Sequence, residues 1–150
     1  NKINVNAQII DSKLTHDIRK RVLWPHIKND NYAISEDEDS TTFHLGVFVE
    51  KKAISVGTFI KEQNQKFHFN SQYRLRAMAT DLNYQIKGAG KILFSRGLEI
   101  LKEKKIELLW CDARINAIPF YEKLNMKSLQ HLYNIKDIGL HKTMYINLNK

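Results

Sequence analysis

The sequence predicts an α/β (α+β) fold in which helices flank a central, mixed and largely antiparallel sheet. A chain of 150 residues is long enough for one domain with a hydrophobic core. Its 43% hydrophobic and 27% charged residues are typical of globular proteins. Strand-like and helix-like segments follow in the order strand, helix, strands, helix, strand, helix, strands, with no repeat or linker between them. We therefore expect one layered domain over residues 1–150.

Hydrophobic periodicity divides the chain into these elements. Apolar residues three or four positions apart predict helices, whereas two-residue alternation or short β-branched runs predict strands. In chain order we expect a strand at 5–10, a helix capped by Asp11 or Ser12 and ending at Trp24 before Pro25, and a long acidic loop at 29–41. We then expect strands at 43–49 and 53–60 joined by a turn at 50–52, a strand at 73–80 and a helix to Lys104. The last predicted elements are a strand at 107–111, a short helix at 116–124, and strands at 131–135 and 143–148. Gly97 inside the long helix indicates close packing against the sheet.

Composition excludes several classes of protein. A single cysteine, Cys111, forms no internal disulfide and no cysteine-rich zinc site, so the cytoplasm is the expected compartment. We expect Cys111 to be a buried small side chain rather than a nucleophile. No apolar run approaches the ~18 residues of a membrane span, and residues 1–10 lack the composition of a secretory signal. The six histidines lack metal-ligand spacing, so no metal site is expected.

Charge is distributed unevenly along the chain. A formal net charge of +8 favours a polyanionic partner such as nucleic acid, a membrane surface or a phosphorylated ligand. A lysine-rich solvated surface explains the same charge equally well. Residues 36–39, Glu-Asp-Glu-Asp, form an acidic run. We expect this run to be a solvated loop, and attraction of a cationic amine is the alternative.

Two glycines before the long helix form the sharpest local motif. They free backbone N–H groups at a helix N-terminus, where the helix dipole favours an anion. The Walker pattern would need glycine at 85 and Ser or Thr at 92, but the chain has Gln85 and Ile92. The dinucleotide fingerprint would need a third glycine at Leu93. A third pattern, Gln-x-x-Gly-x-Gly, is satisfied by Gln85, Gly88 and Gly90.

The context of this motif carries a family resemblance. It follows the strand at 73–80, and residues 116–126 come later as Asn-Ala-Ile-Pro-Phe-Tyr-Glu-Lys-Leu-Asn-Met. The combination resembles the GNAT superfamily of acetyl-CoA-dependent N-acetyltransferases, which carry Asn-x-x-Ala-x-x-Phe-Tyr-x-x-x-Gly-Phe downstream of the glycine loop. Asn116 departs from the commonest spacing, and Asn125-Met126 replace Gly-Phe. Asparagine tolerates the left-handed conformation that glycine adopts there. The resemblance is specific over 73–126 and implies a GNAT-like sheet.

The resemblance implies that acetyl-CoA is the co-substrate. Backbone N–H groups of 85–91 would hold the pyrophosphate, and the strand end at 78–80 would pair with the pantetheine arm. Met78 N–H would donate to the thioester oxygen, which makes Met78 a catalytic residue. Asn116 would either bond the pantetheine or cap the short helix. The cofactor-binding residues implied are Met78, Ala79, Thr80, Gln85, Ile86, Lys87, Gly88, Ala89, Gly90, Lys91, Asn116, Phe120 and Tyr121.

Tyr121 is the second catalytic residue that the resemblance implies. A phenol still carries its proton at neutral pH and can protonate the departing thiolate. Because neighbouring helix positions point about 100° apart, we expect Phe120 to face the core and Tyr121 the cofactor. A core aromatic pair is the alternative. The general base is not identified: Asp112 and groups on 73–80 are candidates, and His141 is expected to be a surface residue.

The resulting functional hypothesis is an N-acetyltransferase that moves acetyl from acetyl-CoA to a primary amine by direct attack in a ternary complex. The acceptor is unknown, and a cationic one would suit the acidic run. Neither a membrane nor nucleic acid is an expected partner, and homodimers are common in the family. One alternative is a basic nucleic-acid-binding module that uses Tyr73, Arg74 and Arg76. A second alternative is a GNAT-like regulator that binds acyl-CoA without turnover.

Overall fold

The structure, a computed structural model, describes residues 6–27 and 31–149 but not the side chains of 85–87. Its strands form one mixed sheet of seven strands in the order β1-β2-β3-β4-β5-β7-β6. The strands are β1 Gln8–Ile10, β2 Phe43–Val49, β3 Lys52–Lys61, β4 Gln72–Thr80, β5 Leu108–Arg114, β6 Lys127–Ile135 and β7 Gly139–Asn147. The predicted α+β class is confirmed. Residues 5, 29 and 30 of the predicted strand and loop lie outside the described residues.

Helical segments precede β2, follow β4 and follow β5, as predicted. The α-helices are α1 His16–Ile18, α2 Ala89–Glu103 and α3 Ile118–Lys123. Each α-helix is preceded by a short 3-10 turn, and these turns are Ser12–Thr15, Leu82–Lys87 and Ile115–Ala117. In the part of the chain that is described, no helix is long and apolar enough to cross a membrane.

Strand pairing is mostly antiparallel. The β1–β2, β2–β3, β5–β7 and β6–β7 pairs are antiparallel. The β4–β5 pair is parallel and joins Gln72–Arg74 of β4 to Leu108–Trp110 of β5. The prediction of a largely antiparallel sheet is thereby confirmed.

The chain divides into two compact units. The N-terminal unit comprises Asn1–Lys61 and Leu75–Ile100, and the C-terminal unit comprises Glu62–Arg74 and Leu101–Lys150. In the N-terminal unit, α2 packs closely on the sheet at Gly97, where a Cβ would lie only 2.3 Å from the Phe59 ring. The packing role that the sequence indicated for Gly97 is therefore confirmed.

The first helical segment differs from the single helix that was predicted. Asp11 is the cap, since its side chain accepts from Lys13 N at 3.0 Å. The segment then passes from the 3-10 turn through α1 to a π-helical turn at Arg19–Leu23. The hydrogen bond from Trp24 N to Arg19 O, at 2.8 Å, closes that wider turn. The segment still ends at Trp24, as the sequence predicted.

The strands of the C-terminal unit are longer than predicted. The apolar run of β5 ends at Cys111, yet its ladder with β7 continues through Asp112↔Thr143 to Arg114↔His141. The missed residues alternate between buried and half-exposed positions, so no continuous apolar run marks them. The edge strand β6 consists of exposed and half-exposed residues with none buried, and it lacks an apolar signal in the same way.

Candidate active site

The end of β4 carries a backbone distortion that the sequence did not predict. Ala77 has φ +53°, in the left-handed region that is rare for residues with a Cβ. The distortion interrupts the regular alternation of peptide groups immediately before Met78. The Met78 side chain packs inward, with Sδ 3.3 Å from where a Cβ on Gly57 would lie. The side chain of Met78 is therefore used in packing.

Asp81 fixes the transition from β4 into the glycine segment. Its backbone N–H donates to Ile54 O at 2.7 Å, and its carboxylate accepts from Asn83 N at 3.0 Å. The same carboxylate accepts from Arg21 Nη1 at 2.7 Å. The Arg21 hydrogen bond lowers the pKa of Asp81 below its usual range. A buried, charged residue thus holds the first turn after β4 in place.

The glycine segment itself forms an open turn at the start of α2. The 3-10 turn Leu82–Lys87 ends at Gly88, whose φ of +75° favours glycine. Ile92 N donates to Gly88 O at 3.1 Å, so Ala89, Gly90 and Lys91 supply N–H groups of the first helical turn. No heavy atom lies within 4 Å of where a Cβ on Gly88 would be. The described part of this turn can therefore receive an anion at close range.

A groove of about 700 Å³ lies in the same unit beside this helix start. Lys91, Ser95 and Arg96 line it together with Asn6 and Glu99. Lys91 is exposed and forms no ion pair with any residue in the described ranges 6–27 and 31–149. The groove adds positive charge close to the turn that offers the N–H groups.

Tyr121 lies buried in the C-terminal unit, on α3. Burial raises the pKa of its phenol well above the usual value, and the neighbouring Cys111 adds to the effect. Tyr121 therefore keeps its proton. The expected direction of Phe120 is wrong: its ring is 37% exposed, whereas Tyr121 is 8% exposed. The two rings meet edge to face at 5.1 Å, so Phe120 covers Tyr121 instead of filling the core.

The remaining motif residues of this unit have mixed outcomes. Asn116 lies exposed in the 3-10 turn, and Ala117 occupies the N-cap position of α3, so Asn116 is not that cap. Asn125 adopts φ +71°, which confirms the left-handed conformation expected where the family pattern has glycine. Cys111 is buried, and burial raises the pKa of its thiol strongly, in agreement with a structural role.

Asp112, one of the general-base candidates, is engaged on both carboxylate oxygens. Arg74 Nη2 donates to Oδ2 at 2.7 Å, and the Tyr133 hydroxyl donates to Oδ1. Arg74 also reaches Glu62 at 3.3 Å.

The acidic run at 36–39 is not a uniformly solvated loop. Asp37 is buried and accepts from both Nη atoms of Arg19, at 2.8 and 2.9 Å. Glu38 accepts from the Ser12 hydroxyl, and Glu36 lies 3.7 Å from Arg76. The expectation of a solvated loop is thus wrong for Asp37. Local sequence patterns do not reveal this pair, because Arg19 and Asp37 are 18 residues apart.

The expectation that His141 is a surface histidine is also wrong. Its side chain is 3% exposed, and Nδ1 lies 2.8 Å from the oxygen of Gly139 at the start of β7. Among the described residues, no group of three or more His, Cys, Asp or Glu side chains could hold a metal ion.

These features, a glycine turn that opens a helix after a distorted strand end, agree with the comparisons with known proteins. Residues 12–126 match the family model described as the acetyltransferase (GNAT) family. The chain therefore belongs to the GNAT acetyltransferase family, and the protein is an acyltransferase.

Individual relatives agree with this assignment. The chain is 36% identical over 144 residues to the uncharacterized N-acetyltransferase YitI of Bacillus subtilis, covering 96% of this chain and 97% of that protein. Among solved structures, an aminoglycoside 6'-N-acetyltransferase complexed with coenzyme A superposes with a TM-score of 0.77 at 11% identity, covering 96% and 97% of the two chains. The ribosomal-protein-S18-alanine N-acetyltransferase of Escherichia coli has a TM-score of 0.69 at 17% identity, covering 97% and 94%. These structures share the fold.

Proposed function

We propose that the protein transfers acetyl from acetyl-CoA to a primary amine by direct attack in a ternary complex. Acetyl-CoA-dependent acetylation of an amine is the general reaction of its family. The observation that carries the proposal is the open turn at Gly88, with φ +75° and no atom near its Cβ position, next to the first N–H groups of α2. Such a turn suits a diphosphate.

The N-terminal unit supplies the proposed binding surface for the coenzyme. The N–H groups of residues 85–91 would bind the diphosphate, and Asp81 would hold the turn that presents them. Lys91 adds a positive charge where the phosphates would lie. Ala79 is buried, and the Thr80 hydroxyl lies 2.9 Å from the Ser55 hydroxyl, so the strand end at 78–80 is held firmly for pairing with the pantetheine arm.

Met78 and Tyr121 are the proposed catalytic residues. The left-handed Ala77 changes the direction of the peptide groups next to it, and we assign Met78 N–H to the negative charge that develops on the thioester oxygen. The buried phenol of Tyr121 retains its proton and would deliver it to the departing sulfur. When bound, acetyl-CoA supplies the activated acetyl group.

The two alternative functions have less support. The nucleic-acid module needs Arg74 and Arg76 to be available, but Arg74 is paired with Asp112 and Arg76 lies near Glu36. A regulator without turnover would leave Tyr121, the residue at the family's tyrosine position, without a catalytic role. Neither alternative matches the names of the relatives.

The test is a thiol-release assay with acetyl-CoA and a panel of primary amines, together with calorimetric titration of CoA and of a short DNA duplex. We expect CoA binding and amine-dependent thiol release. CoA binding without turnover for any amine would favour the regulator, and DNA binding without CoA binding would refute the enzyme.

Gly88→Val tests the turn directly. A β-branched residue at φ +75° strains the backbone by about 1–2 kcal/mol and fills the open space, so CoA should bind roughly tenfold more weakly. Gly139→Val is the matched control, because Gly139 also has positive φ and open space but lies at the start of β7, in the C-terminal unit. Calorimetry should show near-normal CoA affinity for the control. Equal weakening in both variants would mean that the effect is general destabilisation.

A further inference from the structure

One side of α2 forms a wall of the groove beside the glycine turn. The wall residues are Lys91, Ile92, Ser95, Arg96 and Glu99. Because residues three and four positions apart share a helix face, these five follow a single stripe along the helix. Leu93 and Phe94 are buried on the side that packs on the sheet. The stripe therefore faces the groove rather than the core.

The other wall of the groove is formed by Asn6 and Ala7, which precede β1. The volume of about 700 Å³ lies within the range of small-molecule sites. Apart from Ala7 and Ile92, the described lining residues are polar or charged. A groove of this size and polarity suits a hydrophilic ligand rather than an acyl chain.

The charges in the groove favour an anion. Among the described lining residues, Lys91 and Arg96 supply two positive charges and Glu99 supplies one negative charge. Arg96 Nη1 lies 3.5 Å from Glu99 Oε1, and the two side chains are 42% and 68% exposed. An exposed ion pair of this kind contributes little to stability. An incoming phosphate can therefore replace Glu99 as the partner of the Arg96 guanidinium.

The groove begins where the proposed diphosphate site ends. Lys91 belongs to both, because it lies in the first turn of α2 and lines the groove. From Lys91 to Arg96 the helix rises about 7.5 Å. The diphosphate of CoA joins pantetheine on one side and a 3'-phosphorylated adenosine on the other. Since the pantetheine arm is assigned to residues 78–80, which precede the turn, the groove that follows the turn is left for the nucleotide.

We propose that this groove binds the nucleotide end of the coenzyme, with Arg96 and Lys91 on its 3'-phosphate. The inference rests on the proposed use of acetyl-CoA, and it adds Arg96, which lies outside the Gln-x-x-Gly-x-Gly motif, to the binding residues. Ser95 and Asn6 supply hydroxyl and amide groups for the ribose and phosphate oxygens, and Ile92 offers the adenine ring an apolar surface. Arg96 thereby makes the protein select CoA over 3'-dephospho-CoA.

The test measures the affinities of CoA and 3'-dephospho-CoA by calorimetry at low and high salt. We expect the wild type to bind CoA roughly tenfold more tightly at low salt. High salt should reduce this preference, because it screens exposed charges. Arg96→Gln should bring the preference to within about twofold by weakening CoA binding alone, because the phosphate contact is lost. Lys102→Gln, which removes an exposed positive charge from the last turn of α2 outside the groove, is the matched control and should keep the wild-type preference.

Glu99→Gln should have the opposite effect. It removes the carboxylate that competes with the phosphate for Arg96. CoA binding should become about two- to threefold tighter, whereas binding of 3'-dephospho-CoA should not change. A gain of affinity for one coenzyme does not follow from a damaged fold, so this variant tests the inference even if Arg96→Gln is destabilised.

Equal affinities of the wild type for the two coenzymes, or an unchanged preference in Arg96→Gln, would overturn the inference while the proposed function stands. Matching losses in Arg96→Gln and Lys102→Gln would also overturn it, because the effect would then come from net charge. Gly88→Val should weaken both coenzymes alike, since the turn binds the diphosphate that they share. A wild-type protein that binds neither coenzyme would overturn both the inference and the proposed function.

Discussion

Tyr121 lies in an environment that keeps its phenol protonated. The side chain is buried on α3 beside Cys111, and burial raises its pKa. A core aromatic residue needs only its ring, whereas a proton donor needs the hydroxyl. Removing the hydroxyl alone therefore separates the two roles.

Tyr121→Phe should lower kcat by about 100-fold or more, because the sulfur would leave without its proton donor. CoA affinity should change less than about threefold. Thiol release and calorimetry measure the two quantities. Tyr145→Phe, which removes the hydroxyl from a ring packed on Phe67 in the same unit, is the control and should keep normal turnover. Equal loss of turnover and affinity in Tyr121→Phe would indicate a packing role only.

At the scale of elements, the turn from β4 into α2 depends on one carboxylate. Asp81 ties the 3-10 turn to the first helical segment through Arg21, at 2.7 Å, and to β3 through Ile54 O. Arg21 also pairs with the exposed Asp17 at 3.0 Å. Asp81 touches no substrate in this scheme and is a positioning residue.

Asp81→Asn should weaken CoA binding about three- to tenfold while kcat at saturating CoA stays within about twofold, since only the placement of the turn changes. Loss of a charged, buried hydrogen bond should also lower the free energy of unfolding by about 1–3 kcal/mol. Asp17→Asn is the matched control, because it removes the other carboxylate partner of Arg21. Matching losses of CoA affinity in both variants would contradict the role of Asp81.

The sequence predicted the presence and order of the helices and strands more accurately than their end residues or their polar contacts. The Gly88 turn, the Gly97 contact and the left-handed Asn125 each follow from local conformational rules. Ala77 has no such signal, since alanine alone does not indicate a positive φ. The direction of the Phe120 side chain was predicted wrongly. In a helix of only six residues, tertiary packing rather than sequence periodicity decides which side chains are buried.

At the scale of the whole molecule, stability depends on a buried ion pair that sequence reasoning missed. Arg19 is fully buried and binds Asp37, Tyr32 O and the Thr58 hydroxyl. Burial alone would raise the pKa of Asp37, but hydrogen bonds from Arg19 and Ile34 N outweigh it and lower the pKa. Long-range pairing of this kind is invisible to local patterns.

Asp37→Asn should lower the free energy of unfolding by about 3–5 kcal/mol near neutral pH, because Arg19 would keep an uncompensated charge. The pKa of Asp37 is lower in the folded protein than in the unfolded chain, where it is about 3.9. Its contribution to the free energy of unfolding is therefore complete above the unfolded pKa and is lost as pH falls through the folded pKa. Denaturant unfolding at several pH values should show that the difference in free energy of unfolding between wild type and Asp37→Asn becomes smaller below about pH 4. The exposed Asp39→Asn should stay within about 0.5 kcal/mol of wild type.

The single thiol of the chain has a practical consequence for these experiments. Cys111 is enclosed in β5 and resists ionisation, so aromatic disulfide reagents that report liberated coenzyme will leave the folded enzyme unlabelled. The same reagent will reach that sulfur once the chain opens. Labelling of Cys111 therefore reports unfolding, and it adds no background to the thiol-release assay while the enzyme is folded.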